Sequence, residues 1–430
     1  MSAALSHRFF TTDRPEVSPF QPDDPEPLPI WDLPPITHAE VVAALSKTSN
    51  KSAPGPSRIN YKLLKWAFAS RPDRFLLIFN ATITLGHHLW KEATIVVLPK
   101  PSKLDYSLPK AYQPISLLEC CRKILEKIIA KCILSDAHSF DILPPSQFGS
   151  WDYHSAVDTA LCLTHYAQAA VKCKLVASVV FFDIQGFFDN INIEHITHIL
   201  HNLSFPPSLC DWIYSFLLDH FIQLSFNRYK SDLINLTHGT PQGSPLSPIL
   251  STIYTSPLLK LINANWWRCG LNMYVDDGAI FGSAPTHVSL ACLVQTGLQD
   301  ITGWLFRNGL KCDPDKTEFI SFYPCKSQDL IGSWVTALHF FLPSGPLEVK
   351  RSKVICYLGI FIHHKFDWSH HVTIMANHAQ STTRALSILG NSVRGLDYAN
   401  WRKLFHALIV KASMGLDSTT CTKSGLGAST

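Results

Sequence analysis

Two adjacent acids stand where the chain otherwise has the pattern of an apolar strand. Asp276 and Asp277 follow an apolar stretch at 271–275 and precede another at 279–281. Charged side chains in a half-buried sheet are costly unless they are paired or bind a metal. A third acid, Asp183, ends the apolar run at 176–182. Three carboxylates delivered to one point would form a divalent-metal site for phosphoryl transfer, although a solvated turn or a strand-end cap also explains each acid alone.

Composition sets the class of protein. The chain has 430 residues, of which 46% are hydrophobic and 16% charged, so it is globular with two or three subdomains rather than disordered. No apolar run approaches the roughly 20 residues of a membrane span, and the start lacks the basic and apolar segments of a signal peptide. These patterns predict an intracellular protein without a membrane partner. A nuclear location in a eukaryotic host is an expectation that these patterns do not carry.

Charge and cysteines are unevenly placed. Residues 350–411 carry nine Lys or Arg against only Asp367 and Asp397, which predicts a surface that binds a polyphosphate.

Twelve cysteines lie scattered without any Cys-x-x-Cys spacing, which predicts free thiols rather than disulfides or zinc ligands, at positions such as Cys132, Cys210 and Cys356.

The order of elements is α+β without internal repeats. Eight prolines and six acids in residues 1–35 predict a flexible lead, and Thr37 with Glu40 predicts the capping box of the first helix. Hydrophobic periodicity predicts helices near 60–70, 74–86, 116–133, 153–170, 192–201, 206–218, 246–264, 287–308, 369–390 and 398–412. It predicts strands ending at Asp183, near 220–226, 233–238 and 317–323, a hairpin at the acid pair and a strand pair around 338–361.

Several segments, in this order, resemble one known family. They are LPK at 98–100, YQPISLL at 112–118, SQFG at 146–149, FDIQGFFD at 182–189, PQGSPLSP at 241–248, YVDD at 274–277, NGL at 308–310, PDKTE at 314–318 and YLG at 357–359. Together with NKSAPGP at 50–56, this set resembles the polymerase domain of reverse transcriptases, in particular those of LINE-type, non-LTR retrotransposons. The resemblance extends from about Lys47 to Lys411.

The resemblance implies a right-handed polymerase fold in the α+β class. Its parts would be a flexible lead at 1–36, an N-terminal extension and fingers at 37–175, a palm of antiparallel sheet plus helices at 176–362, a helical thumb at 363–413 and an irregular tail at 414–430. The reverse transcriptase domain overall would cover about 80–362. The implied activity is RNA-directed DNA synthesis, with an RNA template, a DNA primer and deoxynucleoside triphosphates as partners.

The resemblance also implies catalytic roles. Asp183 and Asp276 would bridge two magnesium ions, one acting on the primer 3′-hydroxyl and the other on the triphosphate, with Asp277 in support. The peptide oxygen of Ile184 would add a metal ligand. Lys316 matches the family's lysine near the departing pyrophosphate and would act as a general acid, although a solvated lysine after a turn explains it equally well.

Five residues are implied in nucleotide binding. Lys100 would neutralise triphosphate charge, and Gln113 stands where most relatives have an arginine. Phe188 would lie beneath the sugar and exclude a 2′-hydroxyl, with a plain core phenylalanine as the alternative. Gln242 and Gly243 would form a turn against which a base pair lies, although an ordinary loop before a helix also fits.

Four cations on apolar-faced helices are implied to grip the duplex backbone: Arg384, Arg394, Arg402 and Lys403. A solvated helix face is the alternative explanation. The histidine pairs at 363–364 and 370–371 lack an accompanying acid or cysteine at ligand spacing, so no zinc site is predicted there.

Some positions depart from the family pattern. Gln113 has a neutral amide where the family has the charged guanidinium of an arginine. Phe187 occupies a position where the family usually has a small side chain, and residues 150–154 lack the usual Arg and Gly. These departures leave open a catalytically impaired or repurposed RNA-binding remnant, while an intron-encoded maturase fits the motifs less well. No endonuclease pattern is visible, so target-site nicking is not expected from these residues, which leaves a separate endonuclease open as a partner.

Overall fold

A computed structural model gives the fold. It describes residues 33–100, 105–140, 142–150, 154–226, 229–265, 269–324, 337–342, 345–387 and 397–405. The predicted tail at 414–430, most of the lead at 1–36, and Arg394 lie outside the described residues.

The helices, in chain order, are α1 (His38–Ser46), α2 (Tyr61–Ser70), α3 (Pro72–Thr84), α4 (Cys120–Ser139), α5 (Ala156–Lys172), α6 (Phe187–Asn190), α7 (Ile193–Asn202), α8 (Pro207–Leu217), α9 (Ser247–Asn265), α10 (His287–Arg307), α11 (Ser369–Ser387) and α12 (Tyr398–Leu404). The strands are β1 (Glu92–Pro99), β2 (Tyr112–Leu117), β3 (Val176–Asp183), β4 (His220–Phe226), β5 (Tyr229–Leu236), β6 (Cys269–Tyr274), β7 (Asp277–Ala284), β8 (Glu318–Phe322), β9 (Ala337–Leu342), β10 (Gly345–Lys350), β11 (Val354–Tyr357) and β12 (Ile360–His363). Short 3-10 turns cover Pro109–Ala111 and Pro314–Lys316.

The predicted α+β order is confirmed, and so is the capping box. The Glu40 amide donates to Thr37 Oγ1 at 3.3 Å while the Thr37 amide donates to Glu40 Oε2 at 2.9 Å, which satisfies two amides at the start of α1. Within the described ranges, nine cysteines are free thiols. Cys356 is disulfide-bonded, so the expectation of a free thiol is wrong for that residue.

The chain divides into two compact units. The first contains Met1–Tyr153, Ile184–Leu261 and Ile301–Cys312. Its sheet has the order β2-β1-β4-β5, in which β1 runs parallel to β4 and the other pairs are antiparallel. One face of this sheet is buried as an apolar cluster of Ala93, Ile95, Val97, Leu118, Ile222 and Leu224. Alternation along β1 places these side chains on one face.

The second unit contains His154–Asp183, Ile262–Asp300 and Asp313–Thr430. Its sheet has the order β6-β7-β3-β8 with every pair antiparallel, and the hairpins β9-β10 and β11-β12 are separate two-stranded sheets. Strand β3 is central and buried at every position from 176 to 182, which explains its unbroken apolar run. Helix α5 packs on the sheet through alanine and leucine residues.

Among the described residues, no helix combines the length and apolarity needed to cross a membrane.

Candidate active site

The strand ladder brings the predicted acids of the second unit together. Asp183, the last residue of β3, lies directly opposite Asp277, the first residue of β7. Directly opposed residues of antiparallel strands share one face, with their Cβ atoms about 5 Å apart. Like charges in such a pair repel, so two ionised carboxylates at this edge destabilise the sheet unless a cation lies nearby.

The turn before β7 presents Asp276. Tyr274 pairs with Asp277, so Val275 and Asp276 form a two-residue hairpin loop between β6 and β7. Val275 has a φ of 60°, a left-handed conformation that is strained for a β-branched residue. Strain of this kind occurs where a loop is held in one conformation by its surroundings.

Gly278, the next residue, was not singled out in the sequence. It lies opposite Phe182, and a Cβ added there would stand 2.2 Å from Cζ of the Phe182 ring. The glycine therefore lets the aromatic ring close over β7 on the face opposite the acids. The sequence signal was present, since an isolated glycine within a strand pattern marks a close approach.

The charge of Asp276 is poorly compensated. Burial, followed by repulsion from Asp183, raises the pKa of Asp276 to about 6, against the smaller lowering effects of its own backbone amide and Lys316. Both main causes penalise the ionised form. Perturbed carboxyl pKa values of this kind cluster at functional sites, and structural networks of charges produce them as well.

Lys316 supplies positive charge to this edge. Its Nζ donates to Asp183 Oδ2 at 2.6 Å and lies 3.9 Å from Asp313 Oδ2. Burial alone would lower the pKa of Lys316, but the hydrogen bond and charge of Asp183 raise it above its ordinary value. The turn that carries Lys316 is fixed to β3 because the Asp313 amide donates to the Asp183 carbonyl at 2.8 Å. Asp313 was missed by the sequence reasoning.

The donor set fits divalent magnesium, which prefers carboxylate oxygens. The Lys316 ammonium group already lies against Asp183, so this edge accommodates one positive charge. In the part of the chain that the structure describes, no three His, Cys, Asp or Glu side chains are already gathered as a metal cluster. Ile184 is buried and pairs with Cys312 in an isolated bridge of the first unit, so its role as a ligand stays a prediction.

Tyr357 begins the YLG segment at 357–359, for which the sequence predicted no catalytic or binding role. Its side chain is 4% exposed and its ring lies 4.5 Å from that of Phe181. Its hydroxyl has no hydrogen-bond partner among the described residues. Burial, followed by the charge of Asp277, raises the pKa of Tyr357 well above its ordinary range. A neutral, buried phenol therefore faces the negative potential of Asp277.

The first unit holds the predicted sugar gate. Of the two adjacent phenylalanines in α6, Phe187 is 2% exposed while Phe188 is half-buried. Phe187 is therefore a core residue, while for the half-buried Phe188 the sugar gate and the core residue both stay open. The Thr240 amide donates to the Phe188 carbonyl at 2.6 Å, and a Cβ on Gly239 would lie 2.8 Å from that same oxygen. This approach fixes α6 against the loop before Gln242.

Gln242 contacts an acid that the sequence reasoning left without a role. Its Nε2 donates to both oxygens of Asp189, at 3.0 and 3.1 Å. Gly243 is exposed, and its φ of 98° requires a residue without a Cβ. The 241–243 segment is therefore a turn held by specific hydrogen bonds, and its role at the nucleotide stays a prediction.

A pocket of the first unit adjoins this turn. Its walls come from β1, β2, β4 and the 238–242 loop, and the lining residues are Ala93, Ile95, Pro114, Ser116, Leu118, Asp189, His220, Ile222, Leu236, His238, Gly239, Thr240, Pro241 and Gln242. Gln113 is exposed on β2, and Lys100 follows β1, its amide bonded to the Ala111 carbonyl at 2.8 Å. Contact of these two side chains with a triphosphate stays a prediction.

The predicted thumb cations are exposed. Arg384 lies on α11, while Arg402 and Lys403 lie at the end of α12. Exposure suits contact with phosphates but equally suits a solvated helix face, so their role stays a prediction.

Comparison with known proteins gives a family match over more than half of the chain. Residues 98–362 match the family described as "Reverse transcriptase (RNA-dependent DNA polymerase)". The RNA-directed DNA polymerase from mobile element jockey of Drosophila melanogaster is 26% identical over 83% of this chain and 37% of the relative. The probable RNA-directed DNA polymerase from transposon BS of the same species is 30% identical over 79% of this chain and 37% of the relative.

The chain thus spans little more than a third of the length of these relatives. A solved structure of apo telomerase from Candida tropicalis overlaps 65% of this chain and 54% of that one, with a TM-score of 0.44 and 13% identity. An overlap this weak carries no conclusion. The resemblance to enzymes of non-LTR mobile elements is confirmed by the family match and the named relatives.

Proposed function

Because the chain belongs to the reverse transcriptase family, we propose that it is an RNA-directed DNA polymerase that extends a DNA primer on an RNA template. One observation carries the proposal: Asp183 stands opposite Asp277 in the ladder while Asp276 occupies the adjoining turn with a raised pKa. Three carboxylates at one sheet edge are costly unless they hold cations during the reaction.

Asp183 and Asp276 would hold two magnesium ions, with Asp277 in support and the carbonyl of Ile184 as a further ligand. The ions supply charge neutralisation and a lower pKa for the primer 3′-hydroxyl. Lys316 is protonated at neutral pH and would donate its proton to departing pyrophosphate. Asp313 restrains the lysine near the acids.

The nucleotide would be bound by residues of the first unit. Phe188 excludes a 2′-hydroxyl, Gln242 and Gly243 support the base pair with Asp189 orienting the Gln242 amide, and Lys100 and Gln113 face the phosphates. We propose the division implied by the family resemblance, with fingers at 37–175, a palm with finger elements at 176–362 and a thumb at 363–413. In the thumb, Arg384, Arg394, Arg402 and Lys403 would grip the duplex. We propose the nucleus of a eukaryotic host as the site of action.

Primer extension tests the proposal. The purified chain is given poly(rA)/oligo(dT), dTTP and magnesium, beside its Asp276→Asn and Asp183→Asn variants. The matched control is Asp300→Asn, which removes an exposed acid from α10 of the same unit. We expect extension by the wild type and the control, and a loss of about 1000-fold or more in the two site variants, because electrostatic terms dominate phosphoryl transfer. Equal extension by all four proteins would overturn the assignment of the acids.

A second candidate function is favoured by one observation: an exposed, neutral Gln113 stands on β2 where the family pattern has an arginine. A chain that binds the template-primer without extending it would be a repurposed RNA-binding remnant. Gln113→Arg would then restore a bidentate phosphate contact, and extension gained by that single change would identify the defect.

A further inference from the structure

Helix α4 contains a buried ion pair that none of the proposed roles uses. The Arg122 and Glu126 side chains are both 0% exposed, and Arg122 Nε lies 2.5 Å from Glu126 Oε1. A buried pair of this kind adds little stability beyond what apolar residues of the same volume would give. Its significance therefore lies in what the two charged groups hold in place.

Glu126 holds the turn that carries Gln242 and Gly243. Its second oxygen, Oε2, accepts a hydrogen bond of 2.7 Å from Ser244 Oγ. Ser244 is buried, and the same Oγ accepts from the Leu246 amide at 3.1 Å. The turn is closed further by the Ser244 amide and Ser247 Oγ, which donate to the Pro241 carbonyl at 3.1 and 2.8 Å. One hydroxyl thus joins a compact turn to a buried carboxylate.

Arg122 holds the other wall of the same pocket. Its Nη1 donates to the Trp90 carbonyl at 2.7 Å, and its guanidinium lies 4.9 Å from the centre of the Phe216 ring. Trp90 stands two residues before β1, which contributes Ala93 and Ile95 to the pocket that Gln242 also lines. Arg122 therefore bonds to the segment just before β1, and Glu126 bonds to the 241–247 turn.

We infer that Glu126, oriented by Arg122, is a positioning residue that sets the location of the Gln242–Gly243 backbone through Ser244. This inference rests on the proposed nucleotide role of that turn. Hydrogen bonds to a desolvated carboxylate are stronger than neutral ones, and Glu126 cannot shift without leaving Arg122 unpaired in the interior. The turn is consequently held at one distance from β1, which fixes the width of the pocket.

Hydrogen–deuterium exchange tests the positioning without any need for activity. Ser244→Ala removes the hydroxyl, and Ser251→Ala is the matched control because Ser251 is also buried but donates only to Ser247 within its own helix, at 2.8 Å. We expect the amides of residues 239–247 to exchange about tenfold faster in Ser244→Ala than in the wild type or the control. Equal exchange in all three proteins overturns the inference, whether or not the chain polymerises.

Steady-state extension then tests the consequence for the nucleotide. Ser244→Ala should raise the KM for dTTP about tenfold while kcat changes less than about twofold, the pattern of lost binding rather than lost chemistry. Ser251→Ala should leave both unchanged. Glu126→Gln keeps an oxygen for Ser244 but leaves the charge of Arg122 uncompensated. It should therefore lower the melting temperature while changing the KM for dTTP less than Ser244→Ala does. A Ser244→Ala variant with normal KM contradicts the inference, while a wild type without extension contradicts only the proposed function.

Discussion

The carboxylate edge of the second unit and the turn region around Phe188 and Gln242 in the first are held by different kinds of contact. At the edge, neighbouring strands place Asp183 opposite Asp277, and the acids repel one another. Around the turn, residues more than 50 positions apart are joined by satisfied hydrogen bonds, such as those from Gln242 to Asp189. In the first region, burial and repulsion from Asp183 oppose ionisation of Asp276 even beside the Lys316–Asp183 ion pair, whereas in the second the polar groups bond to one another and hold a turn in place.

The largest expected effect separates the two phenylalanines of the turn region. Phe187→Ala empties a buried site and should cost about 3–5 kcal/mol of unfolding free energy, measured by urea denaturation. Phe188→Ala should cost much less, because the side chain is half-buried, and should raise incorporation of UTP relative to dTTP if it is the sugar gate. Unchanged sugar selectivity would remove that role, and equal stability losses would contradict the burial difference.

A smaller effect concerns pH and the carboxylate edge. The pKa of Asp276 is raised to about 6 in the folded protein, above the roughly 3.9 of an unfolded aspartate. The protonated form is therefore favoured by folding, so this contribution is fully present below about pH 4 and is lost as the pH rises through about 6. A shift of this size corresponds to about 3 kcal/mol in the metal-free protein.

Thermal melts between pH 4 and 7 check this effect. Asp276→Asn cannot ionise, so the difference in stability between variant and wild type should grow with pH in favour of the variant. Magnesium favours the ionised carboxyl and should reduce that difference at pH 7. A pH-independent difference would show that the charge of Asp276 is compensated, and the contrast between the two regions would disappear.

The smallest effect concerns the hydroxyl of Tyr357 beneath the acids. Tyr357→Phe removes a buried hydroxyl that has no partner within the described residues, and it keeps the ring contact with Phe181. Removal should stabilise the metal-free protein by up to about 1 kcal/mol, seen as a higher melting temperature. If Tyr357→Phe instead lowers the melting temperature, the hydroxyl has a hydrogen-bond partner in solution, like the polar groups of the turn region.

Sequence reasoning predicted well what lies close along the chain. The capping box at Thr37, the unbroken apolar run of β3 and the hairpin at the acid pair follow from local propensity and periodicity, and each is present in the structure. It assigned no role to Asp189, Asp313 or Gly278, because their importance depends on partners that are distant in sequence or on the approach of a ring.

The sequence by itself determined the α+β order and the family, and it placed three acids at the ends of strand patterns, since these patterns depend on residues that are close along the chain. Only the tertiary structure decided that Asp183 faces Asp277, that Lys316 is bonded to Asp183, and that Glu126 holds Ser244 across 118 positions of chain. The physical reason is that burial and charge compensation depend on which groups lie close together in the low-dielectric interior. The number of residues between two groups in the sequence does not tell how close they lie in the fold.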